Sequence, residues 1–174
     1  VLYTGKFGNE RSLDHILSLA KSDPTSDFRI IGGTLEEVND FRKILQKENV
    51  NNLKIFQRQR YSRIRYLQCK ANMLIAFWSK RVPTMEYCSP LKLFEYMQTG
   101  NKILLHDFKV FEEVVPNNSL IRKCIPEDLK SEKDEYFTLR DQTLSQQHRD
   151  DLISYALNFT YTLRAKNIFQ FMVQ

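Results

Sequence analysis

The chain has 174 residues, 42% of them apolar and 27% charged, with 26 Lys and Arg against 21 Asp and Glu for a formal net charge of +5. This composition fits one globular domain with a substantial core and excludes a disordered or low-complexity chain. No apolar run reaches the roughly 20 residues of a membrane-crossing helix.

Strand-like and helix-like segments alternate from the start. Val1–Gly5 reads as a short apolar strand rather than a cleavable leader. With a strand at the first residue and no initiator Met, the chain is expected to be a piece of something larger. Ser12–Lys21 places Leu13, Ile16, Leu17 and Ala20 at the three-four spacing of a helix face. Phe28–Gly33 is a strand closing on two glycines, and Leu35–Lys47 is a helix through Leu35, Val38, Phe41 and Leu45. Leu53–Phe56 (strand), Tyr61–Ala71 (helix) and Met73–Trp78 (a strand buried on both faces) follow. Pro90 then opens an amphipathic helix stopped by Gly100. After it come a strand at Lys102–Asp107, a short helix near Phe108–Val115 with Asp107 as its N-cap, and a strand around Leu120–Ile125. Glu127–Tyr136 is charge-dense and reads as a surface connector, and Leu144–Met172 as helical with a break near Asn158.

Strands alternating with helices of ten to fifteen residues specify an α/β fold, a Rossmann-like doubly wound parallel sheet. Such sheets take ligands beyond the carboxyl ends of their strands, where the strand order reverses. The loops of interest are therefore Gly5–Arg11, Gly32–Thr34, Gln57–Arg60, Ser79–Ser89 and His106–Lys109.

Cys69, Cys88 and Cys124 fit no disulfide framework and no zinc spacing, so a reducing, cytoplasmic setting is expected. His15, His106 and His148 are scattered and suggest no metal cluster. The positive charge points to anionic partners: nucleotide phosphates, an acidic membrane surface or nucleic acid. Asn117–Ser119 and Asn158–Thr160 match the glycosylation triplet, which carries little weight in a cytosolic chain.

Three stretches carry chemistry. In the first loop, Gly5 and Gly8 permit close backbone approach, and Lys6 with Arg11 brings two cations to the first strand's carboxyl edge. They either neutralise the phosphates of a departing nucleoside diphosphate or are solvated loop charges. No G-x-G-x-x-G accompanies them, against a nicotinamide or flavin site. In the Pro90 helix, the amides of Leu91, Lys92 and Leu93 face an anion at the positive end of the dipole, with the Glu95 carboxylate one turn in. Arg58, Arg60, Arg63 and Arg65 either read nucleic acid with Tyr61 and Tyr66, form a solvated face, or leave the Phe56–Arg58 loop to hold a base.

Together these residues resemble the C-terminal donor-binding domain of the group 1 (family 4) retaining GT-B glycosyltransferases, over nearly the whole chain. VLYTGKFGNERS resembles the family's glycine–arginine loop, with Lys6 in the arginine's place and Arg11 in the lysine's. IIGG resembles the glycine turn after the second strand, and LKIFQ the base-binding strand end. SPLKLFEYMQTGNKILLHD resembles the diphosphate-binding helix with its ribose-binding Glu95. TYTLRAKNIFQFM resembles the terminal helix that closes the domain, with Tyr161, Arg164 and Ala165 packed back onto it. The family's first motif glutamate falls at Tyr87, with Glu86 beside it, and its Phe-Gly at Ser89-Pro90.

The resemblance implies transfer of a sugar from a nucleotide diphosphate donor with retention, without metal or cofactor. It implies leaving-group stabilisation by Lys6 and Arg11, and donor contacts at Gly5, Gly33, Phe56, Arg58, Pro90, Leu91, Lys92 and Glu95. Sugar contacts fall to Glu86 or Tyr87. It also implies an acceptor-binding N-terminal domain preceding Val1, and work on cell-surface polysaccharide or glycolipid at the inner face of a membrane. The alternatives are a GT-B-fold sugar-nucleotide epimerase and a basic nucleic-acid-binding module.

Overall fold

The computed structural model describes residues 1–8, 12–82, 90–160, 162, 163 and 169. Six strands form one sheet: β1 (Leu2–Thr4), β2 (Phe28–Gly33), β3 (Leu53–Gln57), β4 (Met73–Ala76), β5 (Lys102–His106) and β6 (Ile121–Cys124). The order is β3-β2-β1-β4-β5-β6 with every neighbouring pair parallel. The strand order therefore reverses between β1 and β4. Among the described residues six helices join and flank the strands: α1 (Leu13–Ser22), α2 (Leu35–Lys47), α3 (Tyr61–Lys70), α4 (Leu91–Met97), α5 (Leu129–Asp141) and α6 (Gln146–Leu157).

The two faces of the sheet bury two separate cores. Alternation along β4 and β5 sends Met73, Ile75 and Leu104 to one side, where they meet Ile16, Leu19, Tyr136 and Leu139 of α1 and α5. Leu74, Ala76, Ile103 and Leu105 go to the other side, against Leu93, Met97, Leu152 and Ala156 of α4 and α6. Covered on both faces, β4 and β5 are buried at every residue, which is why Met73–Ala76 and Ile103–Leu105 read as unbroken apolar runs. Thr34 caps α2 through a reciprocal box: its hydroxyl accepts from the Glu37 amide at 3.3 Å and Glu37 accepts from the Thr34 amide at 2.8 Å. Among the described residues no helix is long and apolar enough to cross a membrane.

Two expectations are corrected. The helix near Phe108–Val115 is a single 3-10 turn at Lys109–Phe111 with no side-chain cap, and Asp107 pairs instead with Lys123 at 3.4 Å. The surface connector at 127–136 is the start of α5, capped by Asp128, whose carboxylate accepts from the amides of Lys130 and Ser131. Its inward residues are Glu132, Tyr136 and Leu139. Two of these three carry polar atoms, so the helical stripe did not register as apolar.

Candidate functional site

The site follows from the way β1 and β4 separate. β1 is in register with β2 at Leu2, Tyr3 and Thr4 but with β4 only at Leu2–Leu74. Beyond that pair the strands diverge, and the Thr4 amide, which points toward β4, needs another acceptor. Tyr96 of α4 provides it: its buried hydroxyl oxygen accepts from the Thr4 N–H at 3.0 Å and lies 3.0 Å from the Thr4 hydroxyl. Gln68 of α3 donates to that same hydroxyl at 3.0 Å. Burial pushes the Tyr96 phenol up to about 12, so it keeps its proton at any working pH. The gap between β1 and β4 at the carboxyl edge is thus propped open by α4, and this is where doubly wound sheets take ligands.

At the mouth of this gap stand Gly5, Lys92, Tyr3 and Trp78. The Lys92 ammonium lies 4.1 Å from the centre of the Tyr3 ring and 5.3 Å from that of Trp78, within cation–π range of both. A Cβ on Gly5 would come 2.8 Å from the same ammonium nitrogen. The chain can pass so close only because Gly5 has no side chain and adopts a φ of +156°. Lys6 is exposed next to it, its carbonyl accepting from the Tyr3 hydroxyl at 3.2 Å. Lys6 and Lys92, from two different elements, therefore bracket Gly5 at one edge of the sheet.

Glu95 is half-buried one turn along α4 from Lys92. Its backbone is held in place by Arg65, whose guanidinium donates to the Glu95 carbonyl at 2.6 Å and to the Gln68 side chain at 2.8 Å. That contact makes Arg65 a strut between α3 and α4 and removes it from any exposed arginine face. Pro90 is buried and caps α4 from outside rather than occupying its first turn. Leu91 is exposed. The Leu93 amide, expected to face an anion, donates instead to the Pro90 carbonyl at 2.8 Å.

Phe56 and Arg58 are exposed at the end of β3, two strands from β1 on the same edge. Gly33 is buried between them and the first loop: its carbonyl accepts from the Arg58 amide at 2.9 Å, and the Phe7 ring fills the space a side chain would need. Arg11, Glu86 and Tyr87, like Ser89, Tyr161, Arg164 and Ala165, lie outside the described residues.

The expectation of scattered histidines is also corrected. His15, His106 and Glu132 come together beneath this edge. His106 is buried and stacked on Phe77 at 4.1 Å between ring centres. Neither this cluster nor the aromatic cradle of Lys92 was apparent before, because the partners come from segments far apart in the chain.

A groove of about 610 Å³ opens at the opposite, amino edge of the sheet, lined by Val1, Asp27, Arg29, Lys70, Lys102 and Arg140. It lies at the starts of the strands, away from the switch point.

No protein-family model matches the chain, and no curated protein matches its sequence. Solved structures do match. Sucrose-phosphate synthase from Thermosynechococcus elongatus aligns over 99% of this chain and 44% of its own, at 14% identity and a TM-score of 0.78. Anabaena HepE, in complex with UDP and glucose, aligns over 99% of this chain and 47% of its own, at 15% identity and a TM-score of 0.76. WaaG, a glycosyltransferase involved in lipopolysaccharide biosynthesis, aligns over 95% of this chain and 45% of its own, at 15% identity and a TM-score of 0.68. The chain spans less than half the length of each. It has the fold of a GT-B glycosyltransferase domain.

Proposed function

We propose that the chain is the C-terminal, nucleotide-sugar-binding domain of a retaining, metal-independent glycosyltransferase. The observation that carries this reading is the Lys92 ammonium held against Gly5 at the point where the strand order reverses. A diphosphate seated there meets Lys92, the neighbouring Lys6 and the amides of Leu91 and Lys92, with Arg11 at the end of the same loop. These groups neutralise the charge that develops on the phosphate when its bond to the anomeric carbon breaks, which is the task a divalent cation performs elsewhere. Glu95, one turn further, accepts hydrogen bonds from ribose hydroxyls. Phe56 and Arg58 flank the base, while Glu86 or Tyr87 contacts the sugar. The binding of UDP and glucose by HepE supports the choice of ligand class.

The acceptor site belongs to a second domain, so this chain binds donor without turning it over. The setting we infer is synthesis of a cell-surface polysaccharide or glycolipid at the cytoplasmic face of a membrane.

A thermal-shift panel of UDP, GDP, ADP and their sugars tests the reading. One nucleotide class raises the Tm by mass action, by about 2.7 kcal/mol of stabilisation at a hundredfold excess over its Kd. A flat panel refutes the proposal, and sugar transfer by this chain alone refutes its two-domain form. The nucleic-acid reading predicts instead salt-dependent binding of a random oligonucleotide.

A further inference from the structure

The fold gathers three metal-ligating side chains outside the nucleotide cleft. His15 comes from the first turn of α1, His106 from the end of β5 and Glu132 from the first turn of α5. The His15 Nδ1 lies 2.7 and 2.9 Å from the two Glu132 oxygens, and the His106 Nε2 lies 2.8 Å from Oε1. All three ligand atoms fall within 4.8 Å of one another. Glu132 and His106 are fully buried, whereas the His15 side chain is 13% exposed and leaves a way in from solvent.

The far side of His106 defines what the near side needs. Its Nδ1 lies 2.7 Å from the Trp78 carbonyl oxygen and 3.2 Å from the Trp78 backbone nitrogen, and the shorter contact is the hydrogen bond formed when Nδ1 carries the proton. In the neutral ring Nε2 then carries a lone pair, aimed at a carboxylate oxygen in a buried setting. Two lone pairs do not hold such a contact unless something positive lies between them. Among the described residues no lysine or arginine pairs with Glu132 to supply that charge. A backbone carbonyl orienting one ring nitrogen while the other faces inward is also the usual outer support of a metal-bound histidine.

We propose that His15, His106 and Glu132 form a structural site for a divalent transition metal, Zn²⁺ by the chemistry of its two-imidazole, one-carboxylate donor set. Bonds of about 2.0–2.2 Å in tetrahedral array spread the ligand atoms to about 3.3 Å apart. The His–Glu contacts of 2.7–2.9 Å open by about 0.5 Å to reach that spacing, and the two imidazole nitrogens, which lie within 4.8 Å of each other, close onto the ion. A water entering beside His15 completes the shell. The ion ties α1, which follows the Gly5 loop, to β5 and α5, and fixes the ring that holds the Trp78 backbone. It sits on the α1 and α5 face of the sheet, so its test is separate from that of nucleotide binding.

The test is titration of chelator-stripped protein with Zn²⁺ by calorimetry and with Co²⁺ by visible absorption, for wild type, His15→Ala and Glu132→Gln. The wild type is expected to bind one ion per chain, to show the ligand-field bands of tetrahedral Co²⁺, and to gain about 5–10 °C in Tm at a hundredfold excess of Zn²⁺ over its Kd. Each variant is expected to lose at least about tenfold in affinity, together with the bands. His15 is partly exposed, so its variant keeps the comparison valid if Glu132→Gln unfolds. Absence of 1:1 binding overturns the proposal and leaves a proton as the bridging charge. Binding unchanged in the variants overturns it equally, by assigning the ion to surface groups such as Cys69 or His148.

Discussion

Replacing Tyr96 by Phe removes one oxygen and leaves the buried ring in place, so almost all of its packing survives. What is lost is the acceptor for the Thr4 N–H, which β4 cannot provide once the strands have diverged. A buried amide left without a partner costs about 1–3 kcal/mol. We take about 2 kcal/mol as the central value, since the Thr4 hydroxyl keeps its bond from Gln68. For a chain of this length that is about 4–8 °C in Tm. The loss should be the same from pH 6 to pH 9, because the phenol is held protonated up to about 12. Circular dichroism melts and urea midpoints of wild type and Tyr96→Phe measure it. A loss below about 0.5 kcal/mol, the range of an ordinary surface change, refutes the reasoning. The Thr4 amide would then have another acceptor, and α4 would not be what props the cleft.

Three further outcomes follow from the same geometry. Gly32→Ala should destabilise by more than about 2 kcal/mol in urea unfolding, because the new Cβ falls 2.0 Å from the Gly5 carbonyl oxygen at a φ of +143°; an effect under about 1 kcal/mol contradicts the close packing of the two loops. Burial alone would raise the Asp23 carboxyl, but hydrogen bonds from Ser26, Thr25, Tyr136 and Arg140 outweigh it and hold it well below the usual carboxylate range. A depressed folded-state value adds stability that is complete above the unfolded-state value and is lost as pH falls through and below it, so Asp23→Asn should flatten the stability–pH slope below about pH 4; an unchanged slope there contradicts this. Phe56→Ala should weaken nucleoside diphosphate binding severalfold while leaving Tm within about 2 °C, since the ring is exposed at the strand end; equal affinity would remove Phe56 from the base site.

The strands and the first three helices were legible because their signals are local. Met73–Ala76 is apolar on both faces, and Leu35–Lys47 repeats its apolar residues at helical spacing behind a Thr34–Glu37 box. The failures share one cause. Helix α5 turns Glu132 and Tyr136 inward, and a buried glutamate looks like a surface residue until its histidine partners are placed. His15 and Glu132 are 117 positions apart, a separation no spacing pattern reports. Lys92 and Glu95 were visible as a helix pair, but the rings under Lys92 come from β1 and from the end of β4. The Leu93 amide was misjudged because the turn at Pro90 consumes it, which depends on where the helix begins rather than on which residues it contains.

The most direct test of the central claim is calorimetric titration of UDP, GDP and ADP into the wild-type chain and into Lys92→Ala and Glu95→Ala. The account predicts saturable 1:1 binding of one nucleoside diphosphate, with a Kd between about 1 μM and 1 mM. Each substitution should weaken it at least about tenfold without unfolding the chain, as the half-buried side chains of Lys92 and Glu95 stand at the rim of the cleft. No saturable binding of any of the three, or affinity unchanged in both variants, would contradict it.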